Sequence, residues 1–581
     1  MIFCIFALLI YRDMIKRAIT LLAAVLMASF SVNAQYQLLY ETFSDGSDDT
    51  SRTMVTVAGD QLRIASADPE EANPIPGIAK HITYIDFASD TAFYQLYYSE
   101  KEQYFTGVSL HSGNDYQFEK VEIVNGYRCK KYTTSLFSNR MEIWMTEDLK
   151  YRATPTTTFA DLPGVLVQYT RNGNATTRLA SEKIEKARRN KMDIQPLIPT
   201  NLGTYMKSRQ LGNLEKEKLV ITIPIFKDAQ ICFNPKLEKS KTVPFDTVLR
   251  YSNGTIILKR TNLKQLPSHY QIFAELTEQS NGDAYDRTGS IFVIPTSKIS
   301  FLNALIDSVG VLPVFTDKNG EKYQGIKLEK NYTPLVELVR FFTPFGVHHF
   351  NQYRSLSDKE WEDAAYYKQD VSDLHQYLQG DVYIGAFIGN YDGGGHKISL
   401  DLKAYPESYE WSSGEDKLWT LPLFNTCNVM EMSGQNYGKF FETDSLTVTF
   451  TVPEGLNSLR LRYISTGHGG WDSGDEFVPK ENVILIDGQP RFRHTPWRSD
   501  CGTFRTFNPA SGNFWNGMSS SDYSRSGWCP GTATQPVYFD LTGLTPGEHT
   551  ITVAIPQGQR EGTYFSAWNV SGVLVGVRNE E

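Results

Sequence analysis

The sequence predicts an all-β, multidomain protein, and three observations carry that prediction. Short apolar or alternating runs recur along most of the chain, each bounded by Gly, Pro, Asn or Asp, which is the mark of strands separated by turns. Aromatic residues reach 13%, with 32 Tyr and 33 Phe, and strands favour aromatic and β-branched side chains. At 581 residues the chain exceeds what one core organises, so roughly three or four folding units are expected. The net charge is −9 and no basic run stands out, which excludes nucleic acid as the partner.

The N-terminus reads as an export signal. Met14 opens a better start than Met1 does. Lys16 and Arg17 form the positive region, residues 18–30 the apolar core, and Val32-Asn33-Ala34 the small residues before a cut at Gln35. Segment 1–34 is therefore expected to be a signal peptide. The mature chain is expected in the periplasm, on the outer-membrane surface or secreted. A membrane anchor is the alternative, but Arg12, Asp13, Lys16 and Arg17 interrupt the two apolar runs. No later stretch is long and apolar enough to span a bilayer.

Residues 35–182 read as an N-terminal β-rich domain, with strand-like runs at 93–98, 116–123, 141–145 and 166–170. Residues 183–216 are rich in Lys, Arg and Glu, carry Pro196 and Pro199, and read as a charged linker with helical character at its start. Strand patterns return from 217 to 405, at 219–225, 255–260, 270–277, 291–295, 336–342 and 396–404, with one short helical turn at 371–378. After a polar stretch at 406–416, residues 406–581 repeat the pattern at 446–452, 458–465, 483–486, 537–541, 549–555 and 570–577. Two successive all-β units of about 170 residues fit paired sandwiches or jelly rolls.

Three segments could carry chemistry. Asn281 to Gly289 is a polar loop between two strands, with Asp286 and Arg287 adjacent at its exit. It reads either as a salt-bridged staple or as a mount for a catalytic carboxylate. Thr466 to Phe477 gathers His468, Trp471, Asp472, Asp475 and Glu476 among glycines. That loop reads as a solvated acidic turn or a site, and its spacing does not follow an EF-hand. Cys501 to Gly531 is a long loop nearly devoid of strand pattern, and such loops are usually functional or disordered. Trp515 and Trp528 argue against disorder. Of the six cysteines, Cys501 and Cys529 are the best disulfide candidates, because their loop-rich region would gain from a staple. The cysteines are too scattered for a zinc site.

These segments carry a resemblance. The Asp286-Arg287 loop, Thr343-Pro344-Phe345, the Glu476 loop and the phrase Gly527-Trp528-Cys529-Pro530-Gly531 with Arg525 before it resemble, in that order, the peptide-N-glycosidase F family over roughly 250–575. The resemblance implies an N-terminal β-domain followed by two eight-stranded antiparallel jelly rolls packed side by side, with the active site in the cleft between them. It implies hydrolysis of the amide joining Asn to the first N-acetylglucosamine of an N-glycan, with no metal or cofactor and an N-glycosylated protein or glycopeptide as partner. A monomer is expected. Asp286 and Glu476 match the catalytic carboxylates. Arg287, His468, Trp471, Arg525 and Trp528 match the substrate-binding positions, and Cys501 with Cys529 matches a disulfide. Arg287 beside Asp286 and Asp475 beside Glu476 are expected to split the two carboxyl pKa values.

The chain also departs from the pattern. Gly389 stands where the family has a second glutamate, with Asp392 nearby but displaced. His468 stands where a tryptophan is expected. Ala284 and Phe477-Val478 replace two further cysteine pairs. The competing readings are a glycan-binding module on the same fold and a copper monooxygenase. The latter would draw on His348-His349, a close pair among ten histidines.

Overall fold

The computed structural model describes residues 34–45, 50–67, 79–99, 102–111, 113–186, 220–263, 270–406, 418–436, 438–469 and 473–578. The protein is nearly all-β and antiparallel, and falls into two compact units, one N-terminal and one holding the residues from Val220 onward. Residues 1–33 of the expected signal peptide lie outside the described residues, and Ala34 opens the first strand.

The N-terminal unit is one eleven-stranded sheet. The first strand, Ala34–Ser44, sits in the middle. Hairpins run outward from it to Glu102–Ser109; the chain then crosses to the far edge at Gln117–Val124 and returns to Ala175–Lys186, which pairs with the first strand. Leu38, Val55, Val57, Ile85 and Ile143 line the buried face, and Phe159, Ala160 and Leu162 from the loop after the sheet's ninth strand cover it. Gly164 lets that loop re-enter the sheet: its φ is +90°, and a Cβ would lie 2.1 Å from the Thr146 carbonyl oxygen. The strand Ala175–Lys186 runs into the stretch read as a linker, because cross-strand pairing with residues 34–39 overrides its charged composition. Residues 187–219 lie outside the described residues.

The second unit holds two sandwiches. In the first, a four-stranded sheet (Ile221–Ile231, His396–Pro406, Tyr270–Ser280, Ala365–Asp370) faces a six-stranded one (Val248–Tyr251, Ile256–Leu263, Gly380–Ile388, Thr288–Val293, Val336–Phe342, Ala533–Thr534). The last of these strands belongs to the second sandwich. That sandwich pairs Leu418–Asn425, Ser566–Arg578, Leu456–Gly469 and Val537–Asp540 with Leu446–Val452, Gly547–Ala554, Asn482–Ile486 and Gln489–His494. This is the tandem jelly-roll architecture expected from the sequence. The expected helical turn is the 3-10 segment Ser372–Tyr377.

Period-two alternation explains most strands. In Leu446–Val452 every other residue is buried, and each fully buried Leu, Val or Phe contributes about 1.5–3 kcal/mol. Two strands break the rule because both their faces are covered. All seven residues of Val336–Phe342 are buried. Along Ser566–Arg578, Trp568, Val570 and Leu574 enter the second core while Val573 and Val575 enter the first. Between these strands lies a buried polar cluster. Arg340 donates from Nε and Nη2 to Glu337 at 2.6 and 2.7 Å, and from Nη1 to Thr466 Oγ1 at 3.0 Å and Asn569 O at 3.2 Å. Ser290 and Ser571 donate to the same carboxylate at 2.7 Å each. Pairing both charges and bonding them fully is what makes such burial tolerable. The cluster fixes one jelly roll on the other directly beneath the site.

Candidate active site

The first loop of the site, 281–287, leaves the strand Tyr270–Ser280. Alternation there turns Glu278 inward, where it is 0% exposed. Its carboxylate meets His396 Nδ1 at 2.7 Å, and His396 Nε2 faces Asp283 Oδ2 at 3.7 Å. Asp283 in turn receives Arg287 Nε at 2.8 Å and Nη2 at 3.3 Å. Burial opposes charge on His396, but its two carboxylate neighbours outweigh burial and push its pKa up to about 9. Burial likewise opposes charge on Asp283, yet His396 and Arg287 bring it to about 2. Thr343 closes the loop: its Oγ1 accepts from Arg287 N at 2.8 Å and donates to Tyr285 O at 3.0 Å, while its N–H donates to Arg287 O at 3.0 Å. Asp286 is held between these anchored neighbours. The staple in this loop is therefore Asp283–Arg287, not a pair between the adjacent Asp286 and Arg287.

Glu476 comes from the second jelly roll. Its backbone N–H reaches Gly469 O at 3.4 Å, its carbonyl accepts from Ser526 N at 2.9 Å, and its Oε2 accepts from Gly469 N at 3.3 Å. Its neighbour in the chain, Asp475, faces another way. Asp475 turns into the core, where its Oδ2 accepts from Trp568 Nε1 at 2.7 Å and Gly558 N at 2.9 Å.

Arg525 joins the two loops. Its Nη1 contacts Glu476 Oε1 and lies 3.3 Å from Asp286 Oδ2. One nitrogen touching both sets the carboxylate oxygens within about 6 Å, two hydrogen-bond lengths. Nη2 donates to Ser520 O at 2.6 Å and Ser520 Oγ at 3.1 Å. The guanidinium carbon lies 4.5 Å from the Trp528 ring centre and 4.9 Å from that of Phe477. Arg525 is 0% and Trp528 2% exposed, so these two residues back the site rather than face its mouth. Trp528 stacks on Phe342 at 4.1 Å and donates to Gly467 O at 2.9 Å. Burial raises the Asp286 pKa, against the pull of Arg525 and then of Arg287, while Asp286 and Glu476 keep side-chain exposures of 17% each. The arrangement can hold a water between two carboxylates and move a proton at Asp286.

The Cys501–Cys529 disulfide forms, with Cα atoms 5.2 Å apart. Arg498 and Arg525 exchange backbone hydrogen bonds at 2.8 and 2.9 Å beside it. His468 is half-buried against Phe342 and Trp528. Trp471 lies outside the described residues. Asp392 is consumed by a turn, its Oδ1 accepting from Gly394 N at 2.7 Å and Gly395 N at 2.8 Å, so it does not supply the carboxylate missing at Gly389. Glu431, which sequence reasoning missed, is linked to the site through Tyr391: Tyr391 donates to it at 3.3 Å, and the Arg287 guanidinium lies 5.7 Å from the Tyr391 ring. It sits in a loop of the other jelly roll, with no motif to signal it. His348 pairs with Asp363 at 2.8 Å, and among the described residues no group of three or more His, Cys, Asp or Glu is arranged to hold a metal ion.

Comparison with known proteins shows the family. Family models match for peptide-N-glycosidase F, N-terminal, over residues 222–404, for peptide-N-glycosidase F, C-terminal, over 436–575, and for the N-glycanase peptide N-terminal domain over 48–202. Two crystal forms of PNGF-II are each 38% identical with a TM-score of 0.59, covering 94% of this chain and 99% and 100% of theirs. The chain belongs to the peptide-N-glycosidase F family. The structure of PNGase F, a glycosylasparaginase from Flavobacterium meningosepticum, is also similar, at 16% identity and a TM-score of 0.41, over 62% of this chain and 96% of that one. No curated protein sequence matches. Membership in the peptide-N-glycosidase F family supports an N-glycanase function in general, with glycoproteins or glycopeptides as substrates.

Proposed function

We propose that this chain hydrolyses the amide between Asn and the first N-acetylglucosamine of N-linked glycans, converting Asn to Asp. The observation that carries the reading is the meeting of Asp286 and Glu476, from two jelly rolls, on the single nitrogen of Arg525. An amide nitrogen leaves poorly and water attacks poorly at neutral pH, so one group must take a proton from water and return one to the nitrogen. Asp286, with its raised pKa, is suited to that exchange. Glu476 orients the water, and Arg525 holds both carboxylates in place. Water's oxygen bonds to the carbonyl carbon, the C–N bond breaks, and the proton passes to the departing nitrogen. The products are an aspartyl side chain and a glycosylamine, which decays to free sugar and ammonia. Arg287, His468 and Trp471 complete the substrate site in this reading, with Trp528 packed behind them. The leader-like residues 1–34 and the Cys501–Cys529 bridge support action outside the cytoplasm.

The test is mass spectrometry of a glycopeptide incubated with the chain from Gln35, with chelator present, beside Asp286→Ala and Glu476→Ala. Conversion of Asn to Asp with release of the intact glycan, lost in both variants, is expected. A glycan that stays attached while the protein binds it would make the chain a glycan-binding module instead.

A further inference from the structure

His468 is joined to the buried cluster between the jelly rolls by one hydroxyl. Thr466 Oγ1 lies 3.0 Å from Arg340 Nη1 and 2.8 Å from His468 Nε2. A guanidinium has no acceptor, so the hydroxyl oxygen accepts from Arg340. Thr466 is 0% exposed, and His468 Nε2 is the remaining partner for its proton. If Nε2 instead carried a hydrogen, the threonine proton would be buried without an acceptor, at the cost of an unmade hydrogen bond. The relay therefore runs Arg340 to Thr466 to His468, and the ring's own hydrogen sits on Nδ1. Among the described residues no hydrogen bond is made by Nδ1, and the ring is only half-buried.

The surroundings keep that ring neutral. Burial, then Arg340 and Arg525, pull the His468 pKa down to about 3. Protonation would set a third cation beside two guanidiniums. The ring also lies at the reacting centre: it packs at 5.5 Å on both Phe342 and Trp528, and the next residue, Gly469, donates to Glu476.

We propose that His468 is a neutral hydrogen-bond donor of the cleft, locked as the Nδ1–H tautomer by Thr466 and Arg340, that binds an amide carbonyl oxygen of the substrate. This rests on the hydrolase reading for its substrate. A fixed, uncharged N–H suits a carbonyl because it needs no reorganisation as charge grows on the oxygen. It also leaves Arg525 to the carboxylates. Thr466 and Arg340 are positioning residues: they act through the ring and touch no substrate.

The tautomer is read directly from long-range proton–nitrogen spectra of the full chain with labelled histidine. One histidine signal, absent in His468→Asn, should hold the neutral Nδ1–H pattern from pH 5 to 9. Thr466→Val should shift it toward Nε2–H, and Thr466→Ser should leave it unchanged. Adding glycopeptide to the Asp286→Ala chain should move the Nδ1–H resonance. In turnover, His468→Asn, whose amide nitrogen falls near the Nδ1 place, should stay within roughly tenfold of the parent kcat/KM, and His468→Phe should lose roughly 100-fold. Titration of the ring between pH 5 and 8, an Nε2–H pattern, an unmoved resonance at saturating glycopeptide, or equal activity of the Asn and Phe variants would each overturn the proposal. A parent chain that leaves the glycopeptide intact would sink the hydrolase reading alone, since the spectra need no turnover.

Discussion

Arg525→Met removes the cation that two carboxylates share. Asp286 and Glu476 each keep 17% side-chain exposure, so water does little to replace the lost partner. Breaking a buried pair on one side costs about 3–5 kcal/mol, and the exposure places this case near the lower end, about 3 kcal/mol. The cost depends on pH with a definite sign. Arg525 lowers the Asp286 pKa against burial, so its removal raises that pKa further above the unfolded value. A carboxyl with a raised folded pKa favours the native state most at low pH and loses that contribution as pH rises through the folded pKa. The destabilisation should therefore be smaller at pH 4.5 than at pH 7.5, and the acid limb of kcat/KM should move to higher pH. Urea unfolding at both values, with a pH–rate profile, reads both effects. Adding Asp286→Asn to Arg525→Met should restore roughly 1–2 kcal/mol at pH 7.5, because the uncompensated charge is gone. Equal losses at both pH values, or a double variant no more stable than the single one, would refute the shared-cation argument.

Further outcomes follow from the same structure. Replacing Cys501 and Cys529 with Ala opens a loop of 28 residues, and the melting transition should fall by the equivalent of about 3 kcal/mol. His396, whose folded pKa lies at about 9 against the usual 6.5, contributes stability that is full below pH 6.5 and lost as pH rises through 9, by up to about 3 kcal/mol; His396→Leu should flatten that slope in denaturant titrations. Gly527 has φ +83°, and a Cβ there would lie 2.5 Å from Ser465 O. Gly527→Ala should cost about 2 kcal/mol or more and displace Arg525 and Trp528, and a variant with parental kcat/KM and melting temperature would contradict this.

The strands were legible because their side chains report one periodic environment. Tyr270–Ser280 and Leu446–Val452 bury alternate residues, and two-fold alternation survives in a linear string. The run at 336–342 was legible as a strand, but its two covered faces, and the burial of Glu337 and Arg340 within it, were not. The site was legible in part. Asp286, Glu476 and Arg525 stood out by motif, and the structure brings them together. Their pairing was misread wherever adjacency in the chain stood in for adjacency in space: Arg287 turns back to Asp283, and Asp475 turns into the core. Glu278 is marked by no motif, yet it anchors the Asp286 loop through His396.

By itself the sequence determined the all-β class, the tandem jelly rolls and the residue types of the site, because propensity, alternation and short motifs are local properties. Only the tertiary structure decided which charges meet. Arg525 reaches Asp286 across 239 positions of sequence, and Arg340 reaches Thr466 across 126. Such contacts form when two sandwiches bury a common face, and the cost of leaving any buried charge unpaired then selects one arrangement.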